Sequence, residues 1–399
     1  MKRRSVLSIG SLILLAAAPL LMAQAPDLKH MYVHAPVRIS DMPQNPSSPS
    51  GIFPAQVRAA YGFNRIPNQG AGQTIAVIDA FDNPNVESDL AVYESAFHIA
   101  PCNFQKVKIG NPLANEGWAL ESSLDVEQAC AFAPQANIIL VEATTQSLAD
   151  LFTAVQVAAS SPNNATVISM SWGYGEFSGE TDYDSEFCNT VDGNGQPVTL
   201  LAASGDRAHT QNIYPAASPC VVSVGGTDLI SPTPLPPPNP TQVQYGVETA
   251  WDESTGGVSL YETQPSYQTQ ACAQWSTTNR CVPDIASVAH DIPVYVTYGY
   301  AGWETVDGTS VASPDWAGFF TVVNSMRAAQ GKGTLSQAAQ DLYAIYYSPN
   351  YSANFHDITT GNNGNCGSQC DAGPGYDLVT GIGTYQANIL ATALVADPN

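Results

Sequence analysis

"TIAVIDA", residues 74–80, carries one charged residue, Asp79, in an otherwise apolar or small run. A run this compact suits a strand buried on both faces, as in parallel sheets. Four further runs share the character: "NIILVEA" (137–143), "TVISMSWG" (166–173), "VTLLAASGD" (198–206) and "VVSVGGT" (221–227). Between several of them lie stretches with helical character, "VESDLAVYESAFHI", "EGWALESSLDVEQACAFA" and "SLADLFTAVQVAAS". Strand and helix alternate, which predicts an α/β fold with a largely parallel sheet. The 399 residues allow two or three domains by length, but α/β chains of this size also form one.

Outward from this frame, residues 1–25 combine a basic start, an apolar run and an Ala23-x-Ala25 ending, the pattern of a cleavable export signal. "RRSVL" weakly resembles a twin-arginine variant, and Pro26 would hinder cutting at the expected point. No later stretch reaches the roughly 18 uncharged apolar residues of a spanning helix, so we expect a secreted protein, extracellular or periplasmic, with no membrane contact after signal cleavage. Residues 26–52 form a short leader or pro-segment, and 53–399 the main domain. "PTPLPPPNP" (232–240) lacks the backbone donors a sheet interior needs and is expected to be a surface loop, with a partner-binding polyproline segment as the alternative.

Acids number 35 against 13 Lys and Arg, a formal charge of −22 at pH 7. Nucleic acid and anionic membranes are poor partners for that surface. Few cations also means few ion pairs for acid to break, and with every carboxyl neutral the charge could not exceed +19, the 13 cations plus six His. Tolerance of low pH is expected. Eight cysteines in an exported chain point to disulfides rather than metal ligation. Cys272 with Cys281 and Cys366 with Cys370 can pair locally, while the connectivity of Cys102, Cys130, Cys188 and Cys220 is open.

Within the second helical stretch, Glu121 and Asp125 stand four residues apart, stacking two carboxylates on one face. That placement costs an isolated helix about 0.2–0.5 kcal/mol, and no Lys or Arg nearby relieves it. Asp206, in "GDRAH", falls at the C-terminal end of a predicted strand, where α/β sheets carry their sites. Ser310, in "DGTSVASPDWAGFF", opens a helix and taken alone reads as an N-cap.

"GTSVASP" resembles the nucleophile segment of the subtilisin and sedolisin peptidases, and "IAVIDAF" around Asp79 resembles the strand bearing the subtilisin Asp. No His (30, 34, 98, 209, 290, 356) has the context of a subtilisin base. The sedolisins, or serine-carboxyl peptidases, use a Glu in its place with an Asp four residues on, which Glu121 and Asp125 match. "SMSWG", "AASGD", "PAASP" (215–219), "VGGT" (224–227) and "VPDIA" (282–286) follow in the family's order, from about residue 53 to the C-terminus.

The resemblance implies a subtilisin-like, doubly wound α/β domain and a secreted, acid-acting endopeptidase, expected to be a monomer, that cleaves polypeptides through an acyl-enzyme. Ser310 would be the nucleophile, Glu121 the base, Asp125 its partner, and Asp206 a protonated donor to the oxyanion. Asp79 stands where some relatives have a Glu that supports the catalytic network. "HDIT" (356–359) and "AGPGYD" (372–377) resemble the family's calcium loop, implying one structural Ca²⁺ held by Asp357 and Asp377 with carbonyls of Ile358, Gly373 and Gly375. Ser171, Trp172, Gly173, Gly256 and Gly257 are expected at the edges of the substrate cleft, where an extended peptide adds a strand. Two other readings are a non-catalytic peptide-binding module on the same fold, and a subtilisin using His209.

Overall fold

The computed structural model describes residues 26–230 and 245–397, so the export segment and the proline-rich stretch lie outside the described residues. Its centre is one sheet built from β1 (Thr74–Ala80), β2 (Asn103–Lys108), β3 (Asn137–Ala143), β4 (Val167–Met170), β5 (Thr199–Ala203), β6 (Val222–Ile230), β7 (Val247–Ala250) and β8 (Ile285–Val288). The order is β7-β6-β5-β4-β1-β3-β2, with β8 parallel to β6 along Val224–Thr227. All pairings are parallel except β7 on β6. The five predicted runs are all strands; β2, "NFQKVK", is a polar edge strand with only Phe104 and Val107 apolar and stands outside those runs.

Side chains alternate between two cores. Ile75 and Val77 of β1 with Ile138 and Leu140 of β3 pack in the core shared with α2 (Glu116–Phe132) and α4 (Thr309–Ala328), above α1 (Val86–Phe97). Ala76, Ile78, Ile139 and Val141 face the opposite core under α3 (Leu148–Ala159). This is the doubly wound, largely parallel α/β single domain expected. The helix α2 is buried from Trp118 to Phe132 around its whole circumference, so every carboxyl it carries there is out of water. Asn115 caps it, accepting from the Trp118 N–H at 3.1 Å.

Disulfides join Cys102 to Cys130 and Cys188 to Cys220, resolving the open connectivity, and the two local pairs form as expected. Among the described residues no helix is long and apolar enough to cross a membrane. Before the sheet, residues Pro54–Ala60 form an α-helix with Pro at its first position, and the Gln56 side chain accepts the Phe53 N–H at 2.8 Å; short 3₁₀ turns stand at Leu28–His30 and Phe63–Arg65.

Candidate active site

Asp79, Glu121, Asp125 and Ser310 converge between β1, α2 and the first turn of α4, each with no exposed surface. Helix α4 starts at Thr309 with Gly308 as its N-cap, so Ser310 sits inside the first turn and its hydroxyl does not cap. The capping alternative is thereby corrected. Gly308 is required by crowding: a Cβ there would lie 2.8 Å from Asp206 Oδ2. The first N–H groups of α4 have no intrahelical acceptor, which makes this end of the helix a donor site beside Ser310.

Ser310 Oγ has no completed hydrogen bond, yet the hydroxyl stands close enough to Glu121 to favour its ionised form. Bonds of this kind tighten when substrate arrives. Burial drives the Glu121 carboxyl well above its usual range, with Asp79 adding repulsion and the Val37 N–H, 3.0 Å from Oε2, opposing it. Asp125 is pushed the same way by burial, then by Asp79 and Glu121. Two buried acids that repel one another titrate as a unit, and the first proton leaves well before the second.

Ser171 and Trp172 are not cleft residues, which corrects the expected substrate edge. Ser171 is buried and donates to Asp125 Oδ1 at 2.8 Å, reaching the Ser310 carbonyl at 3.4 Å as well. Trp172 is buried and bonds the Ile78 carbonyl at 2.8 Å. Gly256 packs inside, where any Cβ would collide with the Leu378 carbonyl, and Gly257 is buried beside Asn212 and His209. Of the five, Gly173 lines the cleft.

Asp206 follows β5 and meets α4, its Oδ1 accepting from the Thr309 N–H at 2.8 Å and the Thr309 hydroxyl at 2.7 Å. Its Oδ2 has no partner. Burial pushes Asp206 up to about 6 despite those two bonds, so it is protonated in mild acid. The cleft above it, about 700 Å³, is lined by Gly173–Glu176 and Gly205–Arg207 on one side and by residues 32–36 and Arg38 on the other.

Those last residues belong to a strap that crosses the site. Residues 31–33 pair with 146–148, the Val33 N–H on the Gln146 carbonyl at 3.0 Å and the Leu148 N–H on the Met31 carbonyl at 2.9 Å. Val37 bonds Glu121, and Arg38–Ile39 pair antiparallel with Val306–Asp307 just before Gly308. The Arg38 guanidinium bonds the Asp206 carbonyl at 3.2 Å and pairs with Glu253.

The residues named for calcium come together in one loop. Asp357 accepts the Gly375 N–H at 3.0 Å, and Asp377 accepts the N–H groups of Gly373, Val379 and Thr380. Among the described residues no hydrogen bond is accepted by the carbonyls of Ile358, Gly373 or Gly375. Two carboxylates in a loop with three carbonyls that accept no hydrogen bond among the described residues have the donor chemistry of a hard-cation site.

A subtilase family model matches residues 121–385, and the chain belongs to that family. Within it the chain groups with the sedolisins. It is 29% identical to kumamolisin of Bacillus sp. (strain MN-32), over 85% of this chain and 62% of the relative. It is 27% identical to sedolisin of Pseudomonas sp. (strain 101), over 84% and 60%, and 30% identical to physarolisin of Physarum polycephalum, over 56% and 48%. The chain thus spans about half to three fifths of the length of these relatives. The fold matches a solved structure of Pseudomonas sedolisin, a serine-carboxyl proteinase complexed with two molecules of pseudo-iodotyrostatin, with a TM-score of 0.74 at 24% identity, covering 88% of this chain and all of that one.

Proposed function

We propose that this chain is a secreted, acid-acting serine-carboxyl endopeptidase that hydrolyses peptide bonds in polypeptides. The observation that carries the reading is the burial of Glu121 and Asp125 beside Ser310, whose hydroxyl is not spent on capping the helix, with Asp206 protonatable across the helix start. Ionised Glu121 takes the Ser310 proton as Oγ attacks the carbonyl, then gives it to the leaving amine; water, activated by the same carboxylate, releases the acyl group. Asp125, held by Ser171, orients Glu121. Neutral Asp206 and the α4 N-terminus stabilise the oxyanion. Four disulfides support an oxidising compartment. Asp357 and Asp377 with the three carbonyls would hold one Ca²⁺ as a brace for the loop, outside the chemistry.

Peptide hydrolysis by the purified chain and by Ser310→Ala and Glu121→Gln, from about pH 2 to 8, tests this against the carboxyl reference values. We expect an acidic optimum and a loss of roughly 10⁴-fold or more in each variant. An optimum above about pH 7, where the reference carboxyls are ionised, would refute the reading.

A further inference from the structure

Asp79 and Glu142 are direct partners in the parallel register of β1 and β3, so their side chains leave the same face, toward α2. Both are fully buried. Five oxygens on four carboxyls have no donor among the described groups: both of Asp79, Glu121 Oε1, Asp125 Oδ2 and Glu142 Oε2. Buried oxygens left this way cost free energy, and protons shared with neighbouring carboxyls are the donors at hand. The four are close enough to act on each other: Glu142 raises Asp79, and Asp79 raises Glu121 and Asp125.

The outer end is anchored differently. Glu142 Oε1 accepts the Asn83 N–H at 2.8 Å, and Lys106 Nζ of β2 stands 3.9 Å away, bonded to Asp82 at 3.1 Å. Lys108 also pairs with Asp82, at 2.7 Å. Around the inner end the facing groups are Ser310 and Ser171, the Val37 N–H, and the Asp206 carboxyl.

We infer that Glu142 is a positioning residue for the proposed peptidase reaction. It is the outer member of a row, Glu142, Asp79, then Asp125 with Glu121, along which protons are donated inward to the carboxylate that takes the Ser310 proton. The inference rests on the peptidase reading. Protonated Glu142 donates to Asp79, protonated Asp79 donates to the dyad, and the dyad keeps the single negative charge; no proton leaves the row when Glu121 accepts one from Ser310. Chains of donors polarise one another, so the far member matters to the near one.

The test compares Glu142→Gln, whose amide still donates and cannot ionise, with Glu142→Leu, which removes the donor. Glu142→Gln is expected to keep kcat within about threefold, while Glu142→Leu lowers kcat about tenfold or more with KM held and moves the acidic limb of the pH–rate profile up by about one unit. Equal loss in both variants, or unmoved acidic limbs in both, overturns the assignment. An activity-independent readout covers a Glu142→Leu that does not fold. At about pH 5.5, where exposed carboxyls are ionised, the infrared band of protonated carboxylic acids should persist in the wild type and shrink in Glu142→Gln. An unchanged band refutes the row; a shrinking band in a chain that cleaves nothing refutes the peptidase reading instead.

Discussion

Replacing Asp206 by Asn should trade acid-range rate for tolerance of neutral pH. In the proposed mechanism the wild-type side chain donates to the oxyanion through its unpartnered Oδ2 only while protonated, and burial places it at about 6. One unit above that value about a tenth of the molecules keep the donor and two units above about a hundredth, so kcat should fall about tenfold per pH unit beyond about pH 6. Asn presents an amide donor that does not ionise. Its kcat should be lower at the acidic optimum, because the Thr309 N–H and hydroxyl fix Oδ1 for a carboxyl, but the alkaline limb should flatten. Asp206→Ala removes the donor and should cost roughly 10²–10³ in kcat. Both variants should keep the acidic limb, which belongs to the Glu121–Asp125 dyad. The assay is a pH–rate profile on one peptide for the three proteins, with folding followed by circular dichroism. Alanine and wild type of equal activity, or an Asn profile falling as steeply as wild type, would refute the oxyanion role.

Calcium should raise the melting temperature of the wild type by several degrees, since binding only the folded state adds about 2.7 kcal/mol at a hundred times Kd. Asp357→Ala should abolish the difference between calcium and chelator; equal melting in all four samples removes the site. A second carboxyl cluster makes stability itself pH-dependent. Burial pushes Glu180 up to about 9 and Glu262 to about 8, beside Glu176 and Asp184. The folded state therefore holds more protons than the unfolded one, and stability is full below about pH 4.5 and lost as pH rises toward those values, by on the order of a few kcal/mol. Melting at about pH 4 should exceed melting at about pH 7.5, and Glu180→Gln with Glu262→Gln should narrow the gap; a wild type equally stable at both would refute it.

The sheet was legible because its strands are continuous apolar runs, and the site because Glu121 and Asp125 break the rules of an ordinary helix. Burial pushes both carboxyls up, so the helix does not carry them as two full charges in mild acid. Other features depend on register between segments far apart in sequence. Glu142 is unremarkable in "NIILVEA" until β3 lies beside β1. Ser171 was expected at a cleft edge where an extended peptide adds a strand, but its side chain is buried and donates to Asp125. The strap carries no periodicity at all, since most of its bonds go to other elements rather than to itself.

That strap makes the cleft's first ligand a piece of its own chain. Val37 donates to Glu121 and Arg38 to the Asp206 carbonyl, so the strap is bonded to two residues of the proposed catalytic set. A tethered occupant acts at an effective concentration of roughly millimolar, whatever the protein concentration. A free peptide is bound with an apparent Kd equal to its intrinsic value divided by the fraction of molecules whose strap is off. Affinities measured on the strapped chain should therefore understate what the cleft itself can hold, and loosening the Arg38 anchor, as in Arg38→Ala, should tighten peptide binding.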